Sequence, residues 1–193
     1  LSRWIFIVVM SFIFYGWWDW RFLFLIAGNG LVNFYAALAL RKFTKLKKPI
    51  FILAIAANLS SLFIFKYSGF FAHLLEDLLS LFSIQVDLYT RLPEFTLILP
   101  VGISFFTFQA MSYTIDVYFD KLRPTRNIFH FLSYLAMFPQ LVAGPIVRAK
   151  DLLGQLKKVP ATVPVEIWHG LQLFIFGLFQ KTVLADNIAL MVN

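Results

Sequence analysis

Two stretches of this sequence carry polar side chains inside almost wholly apolar surroundings. In the first, Gln109, Ser112, Tyr113 and Asp116 recur within the run from Phe95 to Tyr118. At about 100° per residue of an α-helix, they fall within an arc of roughly 100°. Such a stripe of amide, hydroxyls and carboxyl faces protein or water rather than acyl chains. It suits the wall of a substrate tunnel, or hydrogen bonding between helices. The second stretch is Phe138-Pro139-Gln140-Leu141-Val142-Ala143-Gly144-Pro145-Ile146-Val147-Arg148. Its prolines and glycine free backbone groups that a regular helix would pair, and Gln140 adds a donor and an acceptor. This suits a pore or tunnel lining, or a kinked helix whose neighbours satisfy the backbone.

The histidines are the other candidates for proton transfer. His73 lies in a polar, amphipathic stretch and reads as solvated, and His130 reads as an interfacial side chain beside basic residues. His169, in Trp168-His169-Gly170, is a candidate general base with Glu166 at i−3 as the carboxylate within helical reach. No zinc-ligand spacing, phosphate-binding glycine loop or nucleophile elbow occurs, and the absence of cysteine removes thiolate chemistry. No metal and no bound cofactor is therefore expected.

The elements that position these residues are helices in a bilayer. Of the 193 residues, 60% are hydrophobic and 14% charged, with 24 Phe and 5 Trp. A soluble domain is about 25% charged, so lipid is the solvent this composition fits. The net charge of +7 sits in short loops between apolar runs, which argues for topology and against nucleic-acid binding.

Spans of about 20 residues are predicted at 1–18, 22–40, 50–65 and 95–118, with a final one at 165–179. The Gly16 to Arg21 cluster reads as an interfacial turn with Asp19 and Arg21 in water. Ser68 to Arg91 reads as too interrupted to span and as lying along the outer surface. The loops holding Arg41, Lys42, Lys45, Lys47 and Lys48, and Lys121, Arg123 and Arg126, are placed in the cytoplasm. Ile128 to Val147 has basic flanks on both sides, which a re-entrant segment satisfies; a complete span with one misleading loop is the alternative. The fold class is thus all-α, a polytopic membrane protein with about five to six spanning or re-entrant helices, in a single membrane domain over 1–193. A chain opening on Leu1 inside an apolar run, and stopping at Asn193 after another, reads as truncated at both ends.

Several motifs resemble the membrane-bound O-acyltransferase family. Leu99-Pro100-Val101-Gly102-Ile103-Ser104-Phe105-Phe106-Thr107-Phe108-Gln109, continuing to Tyr113, Asp116, Val117 and Tyr118, is similar to one signature, and Phe138 to Arg148 to another. Gly177-Leu178-Phe179-Gln180-Lys181 followed by Ala185-Asp186 resembles a third, with Gln180-Lys181 where the family usually has two lysines. Phe14-Tyr15-Gly16-Trp17-Trp18 also fits. The nearest branch contains alginate O-acetyltransferase membrane subunits and the D-alanyl transfer protein of teichoic acid.

The resemblance implies a multi-pass enzyme of the bacterial inner membrane. Such an enzyme passes an acyl group, here acetyl, from acetyl-CoA or an acyl-carrier thioester on the cytoplasmic side towards hydroxyls of a cell-envelope polysaccharide such as alginate. It implies a periplasmic or extracellular partner acyltransferase and a central tunnel. Ser104, Gln109, Ser112, Tyr113, Asp116, Gln140, Gly144, Pro145 and Arg148 are its candidate lining. The family's catalytic histidine lies downstream of all these motifs. None is therefore expected within 1–193, the position of His169 argues against it, and the chain by itself is expected to be inactive. A transporter or flippase, or a scaffold subunit, are the alternatives; a transporter predicts paired broken helices in two related halves, and one such segment is visible.

Overall fold

The computed structural model describes residues 2–82, 87–93, 98–141, 144, 147–157 and 164–192. Among these there is no strand, and the fold is all-α. The chain divides into two compact units, Leu1–Gly154 and Gln155–Asn193.

In the first unit, α1 (Ser2–Gly16) and α2 (Arg21–Lys42) are joined by a turn in which Trp17, Trp18 and Trp20 are 89%, 68% and 65% exposed. Exposed Trp at the end of apolar helices marks the headgroup layer. Asp19 and Arg21 do not stand apart in water there. The guanidinium donates to both carboxylate oxygens, with Arg21 Nη2 to Asp19 Oδ2 at 2.6 Å. A 3-10 turn, Thr44–Leu46, leads to α3 (Lys47–Leu62), whose first turn accommodates Pro49 as predicted.

Beyond α3 the structure departs from the predicted break at Lys66. A π turn, Phe63–Tyr67, carries the helical run directly into α4 (Ser68–Ser80). The stretch Thr44–Ser80 has 37 residues, long and apolar enough to cross a membrane, so Ser68–Ser80, the first part of the segment predicted at 68–91, continues the third helix. At about 1.5 Å per residue it measures roughly 55 Å, well beyond the roughly 30 Å hydrocarbon layer. That length allows Glu76 and Asp77 to sit at its far end. There the chain folds back, and Glu76 Oε1 accepts the backbone N–H groups of Leu88 and Tyr89 at 2.6 Å each. His73 is exposed, as expected, and has partners. It stacks on Tyr89 with ring centroids 4.2 Å apart, and its Nδ1 is 3.3 Å from Glu76 Oε2.

The fourth predicted span starts later than expected. Its helix, α5, is Ile103–Tyr118, and residues 94–97 lie outside the described residues. Pro100 and Gly102 explain the late start: Gly102 is left-handed at φ 74°, a conformation costly for any residue with a Cβ. The Tyr15 hydroxyl donates to Val101 O at 2.7 Å and ties this turn to α1.

The predicted run from 128 to 147 is broken, as its prolines and glycine suggested. It forms α6 (Ile128–Leu135) and the single turn α7 (Phe138–Leu141), followed by α8 (Ala149–Lys157). The break precedes Pro139, which has no N–H to bond Leu135 O and sits instead in the first turn of α7.

Helix α2 is central, packed on α3, α5 and α6, while α1 packs on α6 and α7. Its contact with α6 is close at Gly30, where a Cβ would come within 2.9 Å of a Leu132 methyl and 3.2 Å of one of Leu135. Small residues of this kind let helices approach in lipid, where packing and hydrogen bonds replace the hydrophobic drive. Phe34, Tyr113, Phe131 and Tyr134 fill the junction, with Tyr113 and Phe131 centroids 4.6 Å apart.

In the second unit, α9 (Pro164–Phe179) runs through a π turn, Gln180–Ala185, into α10 (Asp186–Val192). The predicted end at Phe179 is therefore no helix end. Lys181 lies within the run, and its ammonium binds both Asp186 oxygens, at 2.7 and 2.6 Å. The stretch Ile167–Met191 is again long and apolar enough to cross a membrane, as is Arg21–Lys42. Phe6, Phe24, Leu53, Phe70, Phe174 and Leu190 are among many large apolar side chains left exposed. Patches of this extent are solvated by acyl chains, not by water. The chain is a membrane protein.

Candidate functional site

The polar stripe of α5 turns inward. Gln109, Tyr113 and Asp116 are buried and Ser112 and Ser104 half-buried, whereas the apolar Phe105 and Phe108 of the same helix are exposed. The stripe thus meets protein rather than acyl chains, as its polarity leads one to expect.

What faces the stripe is α6. The Gln109 side-chain amide donates to Tyr134 O at 2.9 Å, and the Tyr134 hydroxyl lies 3.1 Å from Gln109 O and 3.2 Å from Val147 O. Ser112 Oγ is 3.5 Å from that hydroxyl and donates to Gln109 O at 2.8 Å. Tyr134 therefore links α5 to the chain after the broken segment. It was absent from the sequence candidates, although a hydroxyl within an apolar run was the available signal. Tyr113 reaches the other way, accepting the Thr125 N–H at 3.0 Å.

Asp116 closes α5 through its backbone and not its side chain. Its carbonyl accepts from Lys121 N at 2.8 Å and Leu122 N at 3.2 Å around Asp120, which is left-handed at φ 58°. Its Oδ2 is sealed from solvent without a hydrogen-bond partner among the described residues, as are Gln140 Oε1, Thr107 Oγ1 and Ser61 Oγ. Buried polar atoms are nearly always paired, so an unpaired one calls for a reason such as a ligand, water or catalytic role. Two of these atoms belong to residues singled out from the sequence.

In the broken segment, the Ser11 hydroxyl of α1 accepts the Phe138 N–H at 3.3 Å, one of the donors the break released. Gly144 N donates to Gln140 O at 3.1 Å in a turn so tight that a Cβ on Gly144 would lie 2.5 Å from Gln140 Cα. Gly144→Ala is therefore expected to lower stability by about 2 kcal/mol, since overpacking against backbone is not relieved by a rotamer change. A thermal unfolding midpoint equal to that of the parent would refute it. Arg148 is exposed, and its carbonyl accepts the first N–H groups of α8. Pro145 lies outside the described residues.

A second polar cluster was missed by sequence reasoning altogether. Asn29 and Asn33 of α2, Asn58 of α3 and Thr114 of α5 are buried together. Asn58 Oδ1 accepts from Asn29 Nδ2 and Asn33 Nδ2 at 2.9 Å each, and Thr114 Oγ1 donates to Asn33 Oδ1 at 2.7 Å. Here the polar atoms satisfy one another, so the cluster clamps three helices that carry the stripe.

His130 stacks on Trp4 with centroids 4.1 Å apart, and His169 is exposed on α9 in the second unit. No group of three His, Asp or Glu close enough to hold a metal occurs among the described residues.

Comparison with known proteins adds the chemical context. The chain is 33% identical to the probable alginate O-acetylase AlgI of Pseudomonas aeruginosa, over 97% of this chain and 35% of that protein. It is 34% identical to the protein of the same name in Pseudomonas putida, over 97% of this chain and 38% of that one. The peptidoglycan O-acetyltransferase of Helicobacter pylori is 32% identical, over 95% of this chain and 38% of its own length. These relatives are members of the membrane-bound O-acyltransferase family, which the chain resembles over nearly its whole length. The chain spans little more than a third of the length of these curated relatives. No family model matches it, and no solved structure does. Within this family the α5 stripe and the broken α6–α7 segment coincide with the two longest motifs, so the residues that carried the resemblance also build the buried polar wall.

Proposed function

We propose that this chain forms part of a multi-pass O-acetyltransferase of the bacterial inner membrane. It moves an acetyl group from a cytoplasmic thioester, acetyl-CoA or an acyl-carrier protein, towards hydroxyls of a cell-envelope polysaccharide such as alginate, through a periplasmic or extracellular partner acyltransferase. The observation that carries this reading is the buried wall of Gln109, Ser112, Tyr134 and Asp116 beside a broken membrane segment, in a chain homologous to O-acetyltransferases. A thioester carbonyl needs an attacking oxygen, a base for its proton and donors for the developing oxyanion. Hydroxyls and amides held in a dry interior suit the positioning and donor roles. The base is not assigned to these residues.

The test is transfer of labelled acetyl from acetyl-CoA, with the full-length protein in inverted membrane vesicles and alginate or peptidoglycan oligosaccharide as acceptor. Label appearing on the acceptor supports the reading. Carriage of the polysaccharide across the bilayer without acetylation would instead establish the transporter.

The orientation has its own test. Arg41 Nη1 and Lys47 Nζ both bind Asp120, at 3.0 and 2.7 Å, so the two basic loops lie at one end of the first unit. Single cysteines are placed at Lys45 and at Arg123, in a stretch that contains no cysteine of its own. Both are expected to label from the cytoplasm. Periplasmic labelling of either would overturn the orientation.

A further inference from the structure

Where the two basic loops meet, the surface is hollow. A cavity of about 550 Å³ is lined by Leu38, Arg41 and Lys42 at the C-terminal end of α2, and by Arg123, Pro124 and Arg126. That volume lies within the range of small-molecule sites, roughly 300–1,000 Å³.

We propose that this cleft binds a phosphate group, carried either by an anionic lipid headgroup or by a soluble phosphate ester.

The charges are collected, not scattered. Four cations from two segments about 80 residues apart in sequence line one cavity. Asp120, the carboxylate that pairs at this end, is engaged by Arg41 and Lys47. Its hydrogen bond from Lys47 and the charge of that ammonium hold its carboxyl below the usual carboxylate range. Arg123 and Arg126 form no ion pair among the described residues. Their guanidinium forks match the geometry of phosphate oxygens, which a lysine cannot reproduce.

The loop that presents them is also fixed. Asp116 O takes the N–H groups of Lys121 and Leu122, Tyr113 Oη takes that of Thr125, and the Thr125 hydroxyl takes that of Asn127 at 3.4 Å. A loop that served only as a positive topology signal needs the charges but neither the pinning nor the cavity. Leu38 and Pro124 leave part of the wall apolar, which suits a ligand that brings a hydrophobic or heterocyclic portion with its phosphate.

The inference rests on the proposed function only in placing the cleft on the side from which the acyl donor arrives. Its test reads binding and not transfer, so the two can fail separately.

Full-length protein is placed in discs of net-neutral phosphatidylcholine, and the affinity of coenzyme A is measured by calorimetry. In a second arm, phosphatidylglycerol is added to the discs and its retention is read by native mass spectrometry. The pair Arg123→Ala/Arg126→Ala is expected to weaken one of these probes roughly tenfold, the size of a lost charge-assisted hydrogen bond. The pair Lys45→Ala/Lys48→Ala, which removes equal charge from exposed positions outside the cavity, is expected to leave that probe within about twofold. The probe that responds names the source of the phosphate.

In the unsubstituted protein, the same probe is expected to shield Arg123 and Arg126 from phenylglyoxal, read by peptide mass spectrometry. This keeps the result independent of how the variants fold. Equal weakening by both pairs, binding of neither probe, or unchanged modification of the two arginines would each overturn the inference.

Discussion

Asp116→Asn is expected to lower acetyl transfer by roughly tenfold or more, about 1.4 kcal/mol of barrier, while leaving the yield of folded protein unchanged. The two halves of this expectation follow from one observation. Asp116 is 6% exposed, and its Oδ2 is buried without a partner among the described residues. A buried carboxyl with an unpaired oxygen costs free energy in either protonation state, more when ionised. Asparagine keeps the shape and one acceptor oxygen and puts an amide N–H₂ in place of the other, so the packing of the fold is retained. What it removes is the acceptor oxygen that points into the interior at the end of α5 nearest the basic loops.

Gln140, whose Oε1 is likewise unpaired, provides the companion variant. Gln140→Ala is expected to act in the same sense. The measurement is labelled-acetyl transfer set against monodisperse yield on size exclusion. Parallel losses of activity and of folded protein would demote both residues to packing.

The second large effect is on stability. Asn58→Ala is expected to destabilise the folded protein by about 2 kcal/mol, within the cost of leaving buried donors unmet. Asn58 Oδ1 is the shared acceptor for Asn29 and Asn33, and its Nδ2 donates to Ala54 O at 2.6 Å and to Asn33 Oδ1 at 3.2 Å. Without it, Asn29 Nδ2 loses its acceptor, while Asn33 Nδ2 keeps Asn29 O at 2.9 Å. A single hydrogen bond between helices in a membrane averages only about 0.6 kcal/mol. The expected effect exceeds that because one side chain closes several bonds at once.

Thr114→Val deletes one donor to Asn33 and is expected to cost less than Asn58→Ala. Reversible unfolding in mixed micelles gives both values. A change below about 0.5 kcal/mol for Asn58→Ala, the scale of an ordinary surface substitution, would show that the cluster does not hold the helices together.

The sequence by itself determined the solvent, the helical class and the inward face of α5. Each is a property of local spacing. An apolar run long enough to span needs no partner to be recognised, and the 100° step places Gln109, Tyr113 and Asp116 on one side whatever lies opposite. The prolines and glycine of the broken segment were legible for the same reason, because a proline lacks the N–H that a helix interior requires and so marks a helix start or break. The family resemblance was carried by these same residues.

Tertiary structure decided what each polar group meets. Asn29 and Asn33 are four residues apart in an apolar run, and that spacing was visible. Their partners, Asn58 and Thr114, come from other helices as far as 81 residues away, and no periodicity announces such a meeting. Continuation of the third helix through Phe63–Tyr67 was hidden because Lys66 looked like an end. A lysine at an interface and a lysine partway along a 55 Å helix read identically in sequence. The basic loops show the division most simply. Their charge was in the composition, but Asp120 had to be seen bound by both Arg41 and Lys47 before two separate loops became one surface. Charge is additive along a chain, whereas a cavity exists only where two segments converge in space.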